Sequence, residues 1–177
     1  MQCFNTIFEY LHFKWLNRFF EYLHFKKYML NGQSVVYSNG NILEGEFKDG
    51  KINGNGKIVY SNGNMLEGNF KYGKQNGYGK YTYKNGNIYE GEFKNYKLNG
   101  QGKIISSTGN IHEGEFKNNN LNGQGKIICL NGTIYEGEFK DDKLNGYGKY
   151  ISSYGNVYEG TFKDGKLTSL CGIIKIW

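Results

Sequence analysis

Proline is missing altogether from the 177 residues. A disordered glycine-rich linker usually carries proline as well, so the 27 glycines point to turns and close backbone approaches. Cysteine is scarce: Cys3, Cys129 and Cys171 form an odd set with no CxxC pair. That excludes a disulfide-dense scaffold and a zinc site of ordinary spacing, and it directs the reading to a reducing, cytoplasmic setting. Charge of one sign is also lacking. The formal net charge is +6, and across residues 43 to 170 the 17 lysines face 14 acids. Charges so interspersed exclude a nucleic-acid-binding stripe.

What is abundant is aromatic. Tyr occurs 16 times and Phe 12 times, in a chain only 38% hydrophobic, so burial must rest on rings more than on aliphatic side chains. The frequent Asn, Lys, Ile, Tyr and Phe also fit an AT-rich coding sequence, which by itself would account for many of the asparagines.

The rings and glycines recur. Glu44-Gly45, Glu67-Gly68, Glu90-Gly91, Glu113-Gly114, Glu136-Gly137 and Glu159-Gly160 are spaced by 23 residues, as are Phe47, Phe70, Phe93, Phe116, Phe139 and Phe162. Two further glycine series, beginning at Gly54 and Gly56, keep the interval through Gly146 and Gly148, and a third runs from Gly40 to Gly155. Within a unit the pattern alternates. "YEGEFK" puts Tyr89, Gly91 and Phe93 on one face of a strand and Glu90, Glu92 and Lys94 on the other. "KDGK" at 48 to 51 is the signal of a two-residue hairpin, and "SNGN" at 61 to 64 that of a three-residue loop with Gly63 left-handed.

These turns imply a register. Lys48 opposite Lys51 sets Phe47 beside Ile52 and Gly45 beside Gly54. A loop of residues 62 to 64 sets Ile58 opposite Gly68 and Gly56 opposite Phe70, and by the same count Phe93 opposite Gly79 and Phe139 opposite Gly125. Each ring then faces a glycine, which leaves it room to lie over the neighbouring backbone. The expected fold is all-β: one elongated single-layer antiparallel meander of 23-residue hairpins. It gains roughly 10 Å per unit and reaches on the order of 55–60 Å for six units.

The Tyr-x-Gly-x-Phe, Gly-x-Gly, Gly pattern resembles the MORN (membrane occupation and recognition nexus) repeat family. The resemblance assigns a half unit at 35–42, units starting at 43, 66, 89, 112, 135 and 158, and a C-terminal cap at 168–177. It marks as the structural repeat core Gly45, Phe47, Gly68, Phe70, Tyr89, Gly91, Phe93, Gly114, Phe116, Tyr135, Gly137, Phe139, Tyr158, Gly160 and Phe162. The first Tyr is replaced at Leu43, Leu66 and His112, and in the last unit Thr168, Ser169 and Cys171 stand where Asn, Gly and Gly recur. Loss of those glycines fits a terminal cap with "GIIKIW" as closing strand. The resemblance implies a non-catalytic scaffold for a protein partner of cytoskeletal or membrane-junction type, self-association included. It also implies a second reading, phosphoinositide or membrane-surface binding.

Residues 1 to 30 differ in kind. "FEYLHFK" occurs at 8 to 14 and again at 20 to 26, and Phe4, Phe8, Leu11, Trp15, Phe19, Tyr22 and Met29 fall on one helical face, with Asn31-Gly32 as a stop. Charges interrupt every run that would span a membrane, and the leading residues lack the positive charge of a secretory leader. Three readings stand: a helix that caps the array, an amphipathic helix at a membrane surface or partner, or an extension without a role. In the second reading Trp15, Arg18, Phe19, Lys26 and Lys27 make a weak anionic-membrane contact, which places the protein in the cytoplasm at a membrane or cytoskeletal cortex.

Nothing in the pattern supplies a catalytic residue, a metal site or a cofactor. Glu90 and Glu92 share a face at roughly the separation of paired carboxylates, yet the pair recurs beside lysine in most units. A solvated face explains that better. "NGQGK" at 99 to 103 and at 122 to 126 lacks the spacing of a phosphate loop and leads into a strand rather than a helix. His112 replaces a sheet-face Tyr and has no recurrent partner.

Overall fold

The computed structural model describes residues 28–30, 34–36 and 39–174. They form one antiparallel sheet of 14 strands in sequence order, with no helix among the described residues. The strands are β1 (Tyr28–Leu30), β2 (Ser34–Val36), β3 (Ile42–Lys48), β4 (Lys51–Val59), β5 (Met65–Lys71), β6 (Lys74–Thr82), β7 (Ile88–Lys94), β8 (Lys97–Ile105), β9 (Ile111–Lys117), β10 (Asn120–Ile128), β11 (Ile134–Lys140), β12 (Lys143–Ile151), β13 (Val157–Lys163) and β14 (Lys166–Ile174). The helical reading of residues 1–30 fails at its end, because Tyr28–Leu30 pairs with Ser34–Val36 as a strand. Its remainder, including Trp15, Arg18, Phe19, Lys26 and Lys27, lies outside the described residues.

The tips follow the turn chemistry. Asp49-Gly50 and Asn118-Asn119 take left-handed φ at both positions, as a type I′ turn requires. At the other end, Tyr60 N–H donates to Asn64 O and Gly63 N–H to Tyr60 O, both at 2.9 Å, closing a three-residue loop of residues 61 to 63. The loop has the expected length but sits one residue earlier than the spacing of SNGN suggested, so every inter-unit pair moves by two. Ile58 faces Leu66, Gly56 faces Gly68, and Phe70 faces Gly54. The expected pairs Phe93–Gly79 and Phe139–Gly125 are therefore replaced by Phe93–Gly77 and Phe139–Gly123. A ring still lies across from a glycine, but from the first of each Gly-x-Gly pair.

Within a unit, Phe47 pairs with Ile52 as expected, whereas Gly45 faces Gly56 rather than Gly54. The ladder slips by two residues between those pairs, and the first glycine absorbs the slip. In β8, Gly100 takes φ +122, and a Cβ there would meet the Glu92 carboxylate at 2.1 Å. Both corrections are even-numbered, so every side chain keeps its face.

The rings, with the Leu98 series, cover one face. Ile52, Ile58, Leu66 and Phe70 form one buried group, and Phe93, Leu98, Phe116, Leu121, Phe139, Leu144 and Phe162 another. The last unit ends differently. In β14 the two-residue slip is divided into single-residue bulges, since Ser169 stands where the bulge glycine recurs and its Cβ disfavours a left-handed backbone. Leu167 is 39% exposed, although Leu144 at the same unit position is 2% exposed, because among the described residues no strand follows β14 to cover it.

Candidate functional site

Repetition turns each unit position into a row across the sheet. Gly45, Gly56, Gly68, Gly79, Gly91, Gly102, Gly114, Gly125, Gly137, Gly148 and Gly160 are successive cross-strand partners, one from each strand β3–β13. Six of these are the predicted core glycines, and the row ends where Gly160 meets Leu170. The backbones approach closely along it. A Cβ on Gly91 would lie 2.4 Å from Gln101 O and 2.5 Å from Gly102 Cα. The row is a floor without side chains.

On the polar face the stretch of this floor from Gly91 to Gly148 lies in an open groove of about 1080 Å³, lined among others by Tyr78, Glu90, Gln101, Lys103, Gln124, Lys126 and Tyr147. One bank is a ladder of alternating sign in which each of Lys57, Lys80, Lys103, Lys126 and Lys149 stands between two glutamates on neighbouring strands. Ion pairs form at Lys57–Glu67 (3.3 Å), Lys103–Glu113 (3.6 Å), Lys126–Glu136 (3.7 Å) and Lys149–Glu159 (2.8 Å). The last of these raises the Lys149 pKa through its hydrogen bond to Glu159. Glu90 also accepts a 3.1 Å hydrogen bond from the Tyr78 hydroxyl. The other bank carries Tyr78, Gln101, Gln124 and Tyr147 beside Glu92, Glu115, Glu138 and Thr161. Glu90 and Glu92 thus fall on opposite banks, each in a local role. Such a surface offers charge, hydroxyl and amide groups for recognition.

On the ring face the predicted Phe47, Phe70, Phe93, Phe116, Phe139 and Phe162 occupy one position of successive units. Tyr89, Tyr135 and Tyr158 belong to a second row, Leu43–Ile58–Leu66–Tyr81–Tyr89–Ile104–His112–Ile127–Tyr135–Tyr150–Tyr158–Ile173. His112 is half-buried there, and burial lowers its pKa, against the opposing charge of Asp142. Among the described residues no group of His, Cys, Asp and Glu could hold a metal ion. Cys129 and Cys171 are free thiols.

Composition concealed one set of residues. Four asparagines at the ends of units staple one unit to the next: Asn41, Asn64, Asn87 and Asn110 accept through Oδ1 from the backbone N–H of Ser61, Lys84, Ser107 and Leu130, at 2.7–3.0 Å, and Thr133 interrupts the series. Their recurrence every 23 residues was the available signal.

A sheet of hairpins paired in sequence order, with both faces open among the described residues, defines a β-hairpin repeat protein. The model of the MORN repeat family matches residues 44–65, 67–88, 89–111, 112–134, 135–157 and 158–168. The chain belongs to the MORN repeat family. No curated protein matches the chain. Among solved structures, the TCP domain of SAS-4 (dCPAP) of Drosophila melanogaster, in complex with a proline-rich motif of Ana2 (dSTIL), matches with a TM-score of 0.50. The two are 17% identical over 77% of each chain, a likeness of fold alone. The TCP10c domain of Drosophila melanogaster Sas-4 matches with a TM-score of 0.46 at 17% identity, over 77% of this chain and 85% of that one.

Proposed function

We propose that the protein is a non-catalytic scaffold that holds a protein partner of cytoskeletal or membrane-junction type in the groove of its polar face. The observation that carries this reading is the groove itself: its floor is bare backbone between two banks of hydroxyl, amide and charged groups, where a partner segment can lie across the strands. That the fold neighbour is held with a motif of another protein supports the class of ligand. Exposed tyrosines are the residue type on which interface energy concentrates, and Tyr78 and Tyr147 stand on one bank. The paired Tyr78→Ala and Tyr147→Ala variant should lose the partners captured by the full chain without a change in melting temperature. Unchanged capture would remove the groove from the reading.

The alternating ladder also bears on lipid. Each lysine of the ladder has a glutamate on both sides, so the polar groove offers anionic lipid little net attraction, and the membrane contact is assigned to Trp15, Arg18, Phe19, Lys26 and Lys27. Sedimentation with phosphatidylserine vesicles should therefore respond to Lys26→Ala with Lys27→Ala and not to Lys126→Ala. The reverse would locate lipid recognition on the sheet.

A further inference from the structure

The ring face carries a second concavity, far from the groove in chemistry. Tyr60, Tyr81, Tyr83, Tyr89, Phe93 and Tyr96 line an open cleft of about 390 Å³, with Asn62 at its mouth. Four of the rings form a chain, with centroids 6.0 Å apart for Tyr60–Tyr81, 4.4 Å for Tyr81–Tyr83 and 5.1 Å for Tyr83–Tyr89. The middle of the row, at Ile104, His112 and Ile127, has no such cluster.

One wall is held against local backbone preference. Tyr96 takes φ +66 at the second position of its hairpin turn, where the other units carry Gly50, Gly73, Asn119, Asp142 and Gly165. A bulky side chain with left-handed φ costs about 1–2 kcal/mol. Asn119 and Asp142 are compensated at this position by accepting from the N–H of Leu98 and Leu121, both at 2.7 Å. Tyr96 instead extends its ring to the cleft and donates its hydroxyl to Gly73 O at 2.5 Å, bridging to the previous tip. Backbone strain of this kind gathers at binding sites.

The lining specifies a ligand. It holds no charged side chain, so it offers ring faces and hydroxyls. Burial raises the Tyr83 and Tyr96 pKa values, and burial with the neighbouring Tyr81 and Tyr96 phenols brings Tyr60 to about 12, so these groups stay protonated; with the Tyr96 hydroxyl committed to Gly73 O, Tyr60 and Tyr83 supply the donors. The turns around the cleft, residues 61–64, 72–73, 84–87 and 95–96, contain no acid. Lys71, Lys74, Lys84, Lys94 and Lys97 lie on or beside them, whereas Asp141, Asp142 and Asp164 stand on the turns of the later units. A cation would meet this basic rim unfavourably. A proline-rich chain suits it: proline rings stack on tyrosine faces, its carbonyls accept from phenols, and its missing N–H groups leave nothing unpaired against a floor of rings. Strand β7 spans roughly 20 Å, the length of about six residues of such a chain.

We propose that the tyrosine cleft between β4 and β8 is a binding site for an extended proline-rich peptide with an acidic flank. The test uses the full chain and a fluorescein-labelled synthetic proline-rich peptide ending in glutamates, read by anisotropy. Binding should weaken by at least about tenfold when alanine replaces every proline, and equally in Tyr83→Ala and Tyr96→Gly. Tyr96→Gly is the informative variant, because glycine is at home in this turn and the melting temperature should hold or rise. Tyr96→Phe, which keeps the ring, should retain most of the binding. No binding, equal binding of the alanine peptide, or undiminished binding by Tyr96→Gly would overturn the proposal. So would preference for a trimethyllysine peptide, which would make the cleft a cation cage. None of these outcomes touches the groove on the other face, whose own variants leave this cleft intact.

Discussion

The two blocks of the ring-face core are unlike. On β3–β6 the buried group is Ile52, Ile58, Leu66 and Phe70; on β7–β13 it is four phenylalanines interleaved with Leu98, Leu121 and Leu144. Between them, at the unit position of those leucines, stands Gln75, 0% exposed and with neither amide atom hydrogen-bonded. An amide buried without a partner costs about 1–3 kcal/mol, and no apolar side chain joins the blocks at that point. Where units touch only their neighbours, stability is a sum of unit and interface terms, and one weak interface lets the parts open separately. A regular period therefore does not imply uniform stability. Tyr81, packed against both blocks, and the tyrosine cleft lie at this seam.

The largest expected effect tests whether the blocks are separate. Leu121→Ala should destabilise the second block by about 2–5 kcal/mol. Hydrogen exchange should accelerate across β7–β13 while β3–β6 keep their protection; a parallel loss in both would show one cooperative core. Leu167→Ala, at the same unit position on the exposed last strand, should cost under about 1 kcal/mol.

Gln75→Leu should join the blocks. A gain of about 1–3 kcal/mol is expected, together with merging of separate urea transitions into one. A loss of stability would mean that the Gln75 amide has a partner in solution.

His112 offers a pH handle on the second block alone. Its folded pKa is lowered by burial, so the unfolded chain takes up the proton first. The associated stability is complete above the unfolded value of about 6.5 and is lost as pH falls through the folded value. Melting temperature should drop between about pH 7 and pH 5, and His112→Tyr should flatten that slope. An unaltered slope would place the titration elsewhere. The smallest effect should come from Glu136→Gln, which weakens an exposed pair and should shift unfolding by less than about 0.5 kcal/mol in denaturant titration.

The sequence by itself determined the period, the alternation of faces and the turns, because these depend on residues within one hairpin. Asp49-Gly50 needs no distant partner to form its turn, and Phe93 keeps its face under any even shift of register. What lay beyond it was the register: a loop placed one residue earlier and a two-residue slip at Gly100 leave the alternation intact, so periodicity could not distinguish Phe139 over Gly125 from Phe139 over Gly123. Only the tertiary structure aligned the glycines into one floor, gave Asn64 its partner at Lys84 and isolated Gln75 between two cores. It alone drew Tyr60, Tyr83 and Tyr96 into a single cleft. These features depend on groups about one period apart, brought together by strand pairing, and their energies appear only when the neighbouring unit is in place.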